Sequence, residues 1–427
     1  MLNLSQLSRN QMIIVGAAAF AVLLIIIVVI MSRDSSQVPP KIALAFWGVE
    51  DKSVFSDVFK NYKAARPNVT VEYRAFREEE YEDALLDALA SGKGPDVFMI
   101  PAHALGRQRS KLAPSDPARF SLAKLKELFP TVVEQDFASG GQVYALPLYI
   151  DTLALIYNPN LLDQAAVVRP PQIWDEVQYL STVLRKLDER GRLSQSAVAL
   201  GGSEKSVAHA GDILSLLMMQ NGAAMNQGNS AAFANDKGLK AFNFYLQFGA
   251  SGSPYYTWDE SQPNSLDAFA SGKTAMILGY HRDLARLKNK SPFSNFRVAA
   301  VPQAGETKNF ADYWGLAVSR QSKNWRWGWN FVISAATDAE SAKNYAAAAK
   351  RPPALRSLIA QKLSDAEYGV FAKQALTARS WPQPDERKVS SALNEAILSV
   401  TSGKVDASRA LTQAQGEITR LLQAANK

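Results

Sequence analysis

The sequence predicts an α/β protein built from two lobes with a hinge between them. Its 427 residues exceed what one hydrophobic core usually supports, so two domains are expected. Apolar runs typical of strands alternate with amphipathic helical segments from Lys41 to Ile100, which predicts a mostly parallel sheet with helices on both faces. Residues 142–157 then run from one apolar segment directly into another, with Asp151 between them, as expected of a strand that crosses between two cores.

Composition and charge restrict the classes of function. The formal net charge is +7, but the 47 Lys and Arg residues are scattered and form no compact basic block with interleaved aromatic residues. We therefore expect no nucleic-acid partner. The chain has no cysteine, so disulfides, thiolate metal sites, a cysteine nucleophile and a lipid-modified N-terminal cysteine are not expected.

An uncharged apolar run at residues 12–31 predicts a transmembrane anchor, because a helix of this length spans about 30 Å, the thickness of the hydrocarbon core of a bilayer. A cleaved signal peptide is the alternative, but its apolar region usually has roughly 7–15 residues and ends in small residues. Residues 1–11 would form a cytoplasmic tail and residues 32–40 a linker. The expected location is the cell membrane, single-pass, with the folded part on the extracytoplasmic side.

Alternating strand and helix segments define the first lobe. Ligands of such sheets bind beyond the carboxyl ends of the strands. Trp47 and Gly48 end the first strand, and Pro101 and His103 follow the third, so these residues are expected at the mouth of a binding site. Gly92 is expected to cap the second helix. The predicted elements are strands at 41–47, 69–76 and 97–100 and helices at 54–62 and 81–89.

The second lobe is predicted to be mostly helical. Strands are expected at 197–200 and 275–278, and a long helix over residues 174–187. One pattern occurs in both lobes: residues 87–93 and 267–273 read as the end of a helix, a glycine cap and the approach to a strand. Each lobe is therefore expected to use this unit to bring a strand to the cleft.

Three motifs lie in and after the crossing segment. They are Leu-Pro-x-Tyr-x-Asp-Thr-x-Ala-Leu at 146–155, Tyr-Asn-x-x-Leu-Leu at 157–162 and Pro-Pro-x-x-Trp-Asp-Glu at 170–176. Together they resemble the extracellular solute-binding proteins of ABC importers, in the branch that includes the maltose-binding proteins. The resemblance covers residues 41–425 and implies a two-lobed periplasmic-binding-protein-like fold of type II, in which each lobe is a sheet flanked by helices.

The resemblance also implies where the lobes are divided. Residues 296–302 resemble the second crossing between lobes, and residues 351–354 resemble the third. The C-terminal helices could also pack on the first lobe. The implied division is 41–150 and 301–352 for the first lobe, and 151–300 and 353–427 for the second.

Several ligand-facing positions are implied in the same way. The pair Asp51-Lys52 resembles an Asp-Lys pair that follows the first strand of maltose-binding proteins. Pro101 stands where those proteins have an aromatic residue, and Tyr280 where a tryptophan is expected, which counts against maltodextrin itself as the ligand. The positions after the phrase Phe-Ala-Ser-Gly-Lys-Thr-Ala-Met are Gly279, Tyr280, His281 and Arg282.

A carbohydrate site needs aromatic faces that stack on sugar rings and polar groups that hydrogen-bond the hydroxyls. The candidates lie at predicted strand ends or in loops, although a tryptophan there fills a core about as often and a lone carboxylate there is usually only solvated. Tryptophans in predicted helices are expected to pack in the hydrophobic cores rather than to contact a ligand. The stacking candidates are Trp47, Tyr149, Trp258, Tyr280, Trp314 and Trp381, and the polar candidates are Glu50, Asp51, Asp151, Glu204, Asp259 and Arg351.

Catalytic signatures are missing from the sequence. Residues 271–274 resemble part of a nucleotide-binding loop, but Asp267 stands where its first glycine is required. His103, His209 and His281 are too dispersed in sequence to indicate a metal site. A glycosidase with two carboxylates beside a bound sugar is kept as an alternative, although no such pair is specified. We expect no enzyme activity, no cofactor and no metal.

These observations are typical of a membrane-anchored extracellular binding protein. We expect it to capture a solute, a mono- or oligosaccharide, in the cleft between the lobes by hinge closure. The partner implied by the resemblance is the permease of an ABC importer, and the chain is expected to act as a monomer. The alternative is a surface-displayed sugar-binding or sensing module that is not coupled to transport.

Overall fold

The computed structural model describes residues 8–33, 40–292 and 295–425. The predicted cytoplasmic tail and linker lie largely outside these residues. The first helix, α1 (Arg9–Arg33), has 25 residues, and the large apolar side chains described on it are 43–67% exposed. Within the part of the chain that is described, no helix combines the length and the apolar character needed to cross a membrane.

Strands and helices alternate through the rest of the described residues. The strands are β1 (Ile42–Gly48), β2 (Val69–Ala75), β3 (Val97–Pro101), β4 (Ala138–Ser139), β5 (Gln142–Val143), β6 (Ala145–Pro147), β7 (Asp151–Thr152), β8 (Ala154–Tyr157), β9 (Lys186–Leu187), β10 (Leu193–Val198), β11 (Asn226–Gln227), β12 (Ser230–Ala231), β13 (Thr274–Gly279), β14 (Arg297–Ala299), β15 (Asn309–Asp312), β16 (Trp314–Val318) and β17 (Ala378–Arg379). The helices are α2 (Ser56–Ala65), α3 (Glu78–Ala90), α4 (Leu105–Gln108), α5 (Leu122–Leu128), α6 (Thr131–Phe137), α7 (Pro159–Gln164), α8 (Trp174–Val183), α9 (Ala210–Gln220), α10 (Asp236–Leu246), α11 (Ser265–Ala270), α12 (His281–Lys290), α13 (Trp325–Thr337), α14 (Ala339–Ala349), α15 (Arg356–Lys362), α16 (Gly369–Ala375), α17 (Glu386–Thr401) and α18 (Ala407–Ala424).

The first sheet has the strand order β2-β1-β3-β16-β6. β1 pairs in parallel with β2 and β3, whereas β16 is antiparallel to both of its neighbours. The parallel pairing predicted for the three strands within residues 41–100 is therefore confirmed, whereas the two pairings of β16 are antiparallel. β1 buries alternate residues, and the Phe46 ring lies 5.0 Å from Phe55 and 4.8 Å from Tyr73. Burial of each such side chain contributes about 1.5–3 kcal/mol.

The second sheet has the order β14-β8-β13-β10-β9. Its central strand β13 is buried along its whole length, pairs in parallel with β10 and is antiparallel to β8. Such two-sided burial explains why β13 reads as a continuous apolar run in the sequence.

The pattern that occurs in both lobes forms the same structure twice. Gly92 and Gly272 have φ of +70° and +74°, a backbone conformation that favours glycine after a helix. Lys93 N–H donates to the carbonyl of Ala88 at 2.9 Å, and the corresponding bond at residue 273 has the same length. β3 and β13 follow these two caps, as the sequence predicts.

Two hydrophobic cores are separate in space. The first is formed by apolar residues within 44–150 and 311–378, and the second by those within 153–310 and 371–422. We call the body around each core the first and the second lobe. The prediction of a two-lobed α/β protein is therefore confirmed. Helices α17 and α18 pack in the second core.

A third sheet, β17-β15-β7, connects the two lobes. β7 lies between Ile150 of the first core and Leu153 of the second. β15 carries Phe310 of the second core next to Ala311 of the first, and β17 begins at Ala378 of the first core. The chain thus crosses between the lobes three times, and the three crossing strands are hydrogen-bonded to one another.

The second and third crossings lie later in the chain than predicted. Residues 296–302 remain in the second lobe, because β14 pairs with β8 and Val301 packs in the second core. Residues 351–354 are not a crossing either, since Ala354 and Ile359 pack in the first core. Both predicted limits were placed on apolar or Pro-containing segments, whose pattern is the same whichever core buries them.

Candidate functional site

A cavity of about 650 Å³ lies between the lobes, within the size range of small-molecule sites. The first lobe contributes α3 and the ends of β3 and β16, where Pro101 and Trp314 are paired across the sheet. The second lobe contributes His209 and the start of α17. A recess of about 200 Å³ continues from this cavity, since His209, Gln383 and Glu386 line both.

Asp151 is fully buried in β7, and it joins the connecting sheet to the second lobe. Its carboxylate accepts hydrogen bonds from the backbone N–H groups of His281 at 2.9 Å and Arg282 at 3.2 Å, which are the first residues of α12. Burial raises the pKa of Asp151 to about 6, although Arg282 opposes this effect. Asp151 therefore supplies two buried helix N–H groups with an acceptor.

Arg282 reaches from α12 to the connecting sheet. Its guanidinium forms an ion pair with Asp312 and lies 4.2 Å from the centre of the Tyr280 ring. Asp312 stands directly opposite Asp151 in the antiparallel pair of β15 and β7. Burial acts to raise the pKa of Asp312, but Arg282 outweighs it, so the pKa is lowered. Arg282 thus compensates two carboxylates at the hinge.

Two hydrogen bonds and one ring contact link Asp212 to Asp283 beside the recess. The Tyr280 hydroxyl donates to Asp212 Oδ2 at 2.8 Å, and His209 Nε2 lies 2.8 Å from Asp283 Oδ2. The His209 ring meets the Tyr280 ring edge-on at 4.8 Å. His209 has φ of +61°, a strained conformation that is enriched at functional sites. Burial, with Asp312 and Glu386 nearby, raises the pKa of Asp212 to about 7.

Two ion pairs join the lobes across the cavity mouth. His103 Nε2 of the first lobe lies 3.0 Å from Glu386 Oε2, in the first turn of α17. Arg387 lies 3.9 Å from Glu82 on α3. Burial acts to lower the pKa of His103, but Glu386 raises it, and the net value is about 9. His103 therefore carries a positive charge at neutral pH.

Some residues singled out in the sequence line these spaces. Pro101, His103 and Trp314 line the larger cavity, and Glu204 and Arg282 line the recess. Trp314 is the stacking candidate among them, because its indole is partly exposed and lies 5.8 Å from the Tyr81 ring behind it.

Glu50, Tyr149 and Arg351 form a separate cluster in the first lobe, which lines neither space. The Arg351 guanidinium lies 3.4 Å from Glu50 and 5.0 Å from the centre of the Tyr149 ring. Tyr149 is 2% exposed and cannot present a face to a sugar.

Other aromatic candidates are core residues, which corrects the prediction that they stack on a ligand. Trp258 and Trp381 are 1% exposed in the second core, and their indole N–H groups donate to Ser206 and Ser215. Tyr280 is fully buried. Trp47 is partly buried against Phe76 at 4.7 Å, outside both cavities. The sequence places these side chains at strand ends but does not show which way they point.

The remaining candidates also have local structural roles. Asp51 and Asp259 cap turns, because each accepts a backbone N–H two residues later at 2.8 Å. Gly48 is a glycine for steric reasons, since a Cβ would lie 2.7 Å from the Met99 sulfur. Gly279 is similarly tight, with a Cβ position 3.1 Å from neighbouring side chains. His281 stacks on Tyr368 at 4.5 Å and lines neither space.

Several cavity residues were not predicted from the sequence. Tyr81, in the cavity, was assigned only to a helix face, and Asp212, in the recess, lay in a segment without a motif. Glu78 begins the helix after β2, so the rule that sites follow the carboxyl ends of parallel strands could have found it. Glu386 follows a Pro-rich turn at the start of α17 and carried no comparable signal.

The buried carboxyl of Asp136, beside the hinge, should make the stability of the fold depend on pH. It accepts hydrogen bonds from Ser380 and, at 2.6 Å, from the Tyr313 hydroxyl, and burial raises its pKa to about 7. The folded state therefore holds a proton that the unfolded state releases near pH 4, so this carboxyl stabilises the fold at low pH and the stability is lost as pH rises through about 7. Asp136→Asn should gain about 2.7 kcal/mol over the wild type between pH 5 and pH 8, because about two pH units of this window lie below the folded pKa.

Chemical denaturation at the two pH values measures this gain. Both hydroxyl partners of Asp136 can donate or accept, so the amide keeps its hydrogen bonds. Asp163→Asn, at an exposed position, is the control and should follow the wild type. A constant difference between Asp136→Asn and wild type at both pH values would contradict the prediction.

Comparison with known proteins agrees with the two-lobed fold and its cleft. The family described as bacterial extracellular solute-binding protein matches residues 57–371, and the chain belongs to this family. The members are binding proteins, which confirms the prediction that the chain is not an enzyme.

Among curated relatives, the chain is similar to the maltotriose-binding protein of Pyrococcus abyssi, with 28% identity over 29% of this chain and 26% of that protein. It is also similar to the maltooligosaccharide ABC transporter solute-binding lipoprotein of Streptococcus pneumoniae, with 26% identity over 62% of this chain and 60% of that protein. In both, the match spans less than two thirds of the relative.

Among solved structures, the sugar-binding protein MalE of Xanthomonas citri has the same fold. The TM-score is 0.76 at 18% identity, over 90% of this chain and 98% of that one. Similarity at this level of identity shows the fold alone.

Proposed function

We propose that this chain captures a carbohydrate, in the size range of an oligosaccharide, in the cavity between its lobes and delivers it to an ABC importer. The observation that carries the proposal is the cavity of about 650 Å³, which is lined by residues of both lobes. A ligand there contacts both lobes at once, so binding favours the closed arrangement. The curated relatives, whose names state that they bind maltotriose and maltooligosaccharides, support the substrate class.

Ligand binding is tested by thermal unfolding of the full chain with a panel of oligosaccharides. A sugar at about 100 times its Kd adds roughly 2.7 kcal/mol of stability and raises the unfolding midpoint. Small-angle scattering should show a smaller radius of gyration with the same sugar, because the lobes close on it. Glycerol at equal concentration is the control for unspecific effects. A shift by an amino acid or a phosphate ester, with none by any sugar, would show that the substrate class is wrong.

Delivery to an importer is tested by uptake of a labelled sugar into cells. Deletion of the gene should abolish uptake, and the wild-type gene should restore it. Unchanged uptake, in cells that still bind the sugar at their surface, would instead favour a display or sensing module that is not coupled to transport.

Attachment to the membrane is the second part of the proposal. The uncharged run at residues 12–31 and the exposed apolar side chains of α1, which belong to neither core, support it. The full chain should sediment with membranes and be released by detergent but not by salt, and a chain that begins at Pro40 should be soluble. A full chain in the soluble fraction, or a mature N-terminus beyond residue 31, would contradict the anchor.

A further inference from the structure

The whole chain carries +7, but the recess is lined by more carboxylates than cationic side chains: Glu204, Asp212 and Glu386 against Arg282 and His209. In the described residues, every arginine that lines the cavity or the recess already has a carboxylate partner: Arg107 and Arg387 have Glu82, Arg282 has Asp312, and Arg286 has Asp267. The two lining histidines are likewise paired, with Glu386 and Asp283.

Four carboxylates that line the same two spaces have no cationic partner. Glu78 and Glu79 line the cavity, Glu204 and Asp212 line the recess, and none of the four forms an ion pair with a cationic side chain in the described part of the molecule. In the recess, no cationic side chain is left for an acidic ligand, whereas Glu204 and Asp212 remain for a basic one. Burial raises the pKa of Glu78, and Asp312 and Glu386 add to this effect, although Arg282 acts in the other direction.

The two carboxylates of the recess are already oriented. Glu204 Oε2 accepts from the Ser390 hydroxyl at 2.6 Å and from the Asn394 amide at 3.0 Å. Asp212 Oδ2 accepts from the Tyr280 hydroxyl at 2.8 Å. Their second oxygens, Oε1 and Oδ1, have no hydrogen-bond partner among the described residues. Each carboxylate is thus fixed through one oxygen and has the other available to a donor.

The cavity wall also contains a buried acceptor that lacks a hydrogen-bond donor. Gln108 is 2% exposed and lines the cavity, and its Oε1 has no hydrogen-bond partner in the described part of the chain. A buried acceptor left unpaired is costly, and a ligand donor relieves that cost once the Gln108 side chain turns its Oε1 toward the cavity. A ligand rich in N–H and O–H donors therefore fits both spaces.

We infer that the ligand is an oligosaccharide that bears a protonated amino group, with its ammonium in the recess between Asp212 and Glu204 and its sugar rings along the larger cavity. This inference rests on the proposed function, because it assigns a class to the sugar that the cleft binds. A neutral sugar donates hydrogen bonds to these carboxylates but leaves their negative charge uncompensated. An ammonium group donates hydrogen bonds and also supplies the compensating positive charge.

Calorimetric titration of the full chain with matched ligands tests the inference. The probes are a glucosamine tetramer, its fully N-acetylated counterpart, maltotetraose and spermidine, at about pH 7, where Asp212, with a pKa of about 7, is about half ionised and the amines still carry charge. The free amino form should bind at least about tenfold more tightly than the acetylated form. This preference should shrink as salt is added, because ions screen the charge interaction.

Substitution of the recess carboxylates should remove the preference without removing binding. Asp212→Asn and Glu204→Gln keep an acceptor for the hydroxyl and amide groups that hold them. In the double variant, the amino and acetylated tetramers should bind within about threefold of each other. Glu395→Gln, an exposed position on α17 away from the recess, is the matched control and should keep the wild-type preference.

Each other outcome overturns the inference in a distinguishable way. Equal or tighter binding of the acetylated tetramer or of maltotetraose would overturn it and leave the proposed function standing. Binding of spermidine as tight as that of the amino tetramer would show that the recess selects amines irrespective of sugar. Failure of every oligosaccharide would overturn the proposed function as well.

Discussion

Arg282→Met should destabilise the protein by about 3–5 kcal/mol, because it leaves buried carboxylates without their compensating cation. Asp312 loses its ion pair, and Asp151 stands directly opposite it in the connecting sheet. Both carboxylates are less than a tenth exposed, so water compensates them poorly. Urea denaturation, followed by tryptophan fluorescence and by circular dichroism, measures the loss.

Arg286→Met is the matched control for this prediction. Arg286 lies one helical turn further along α12 and pairs with Asp267 at 3.2 Å, but both side chains are about half exposed. Exposed pairs of this kind contribute about 0–1 kcal/mol. Equal losses in the two variants would show that Arg282 has no special role at the hinge.

Trp314→Ala should weaken carbohydrate binding by roughly 30-fold, since truncation of an aromatic anchor in a binding site costs about 2 kcal/mol. Trp314 ends the loop into β16, is paired with Pro101 and lies at the cavity wall with Tyr81 behind it. Among the described residues that line the cavity, Trp314 is the tryptophan, and its side chain is partly exposed. An apolar ring face at this position can stack on a sugar ring. Calorimetric titration measures the affinity.

Two variants separate stacking from a general loss of structure. Trp314→Phe keeps a smaller ring face and should recover most of the affinity. Trp325→Ala removes a partly buried tryptophan on α13 that lines neither the cavity nor the recess, and should bind as the wild type does. If Trp325→Ala lost affinity as strongly as Trp314→Ala, the stacking role of Trp314 would be untenable.

The two sheets could be predicted from the sequence because their central strands are buried on both faces. β3 and β13 therefore appear as unbroken apolar runs; β1 is also an apolar run, although it buries only alternate residues, and the observed limits of the three strands differ from the predicted ones by at most one residue. The glycine caps at Gly92 and Gly272 were predicted for the same kind of local reason, since the turn needs a positive φ.

The connecting sheet could not be predicted because its strands have only two to four residues. β15 carries Asn309 and Asp312, which are buried but polar, so it has no apolar pattern. The helix predicted over residues 174–187 ends at Val183, since Arg185 instead donates to two carbonyls of a neighbouring loop and the chain continues into β9.

The location of the site between the lobes was predicted better than the identity of the residues that line it. Trp314 and His103 line the cavity, whereas Trp258 and Trp381 are buried in the core although their sequence contexts are similar. The direction of a side chain at a strand end depends on the opposite lobe, which is distant in the sequence. The same holds for Glu386, whose partner His103 lies in the other lobe.

The position of β16 in the first sheet has a consequence for synthesis. β16 lies between β3 and β6, so the N-terminal half of the chain emerges from the ribosome with two open strand edges that face a gap. Open edges invite pairing with other chains. The gap closes only when residue 318 has been made, and a nascent chain shorter than this should depend on chaperones that cover those edges.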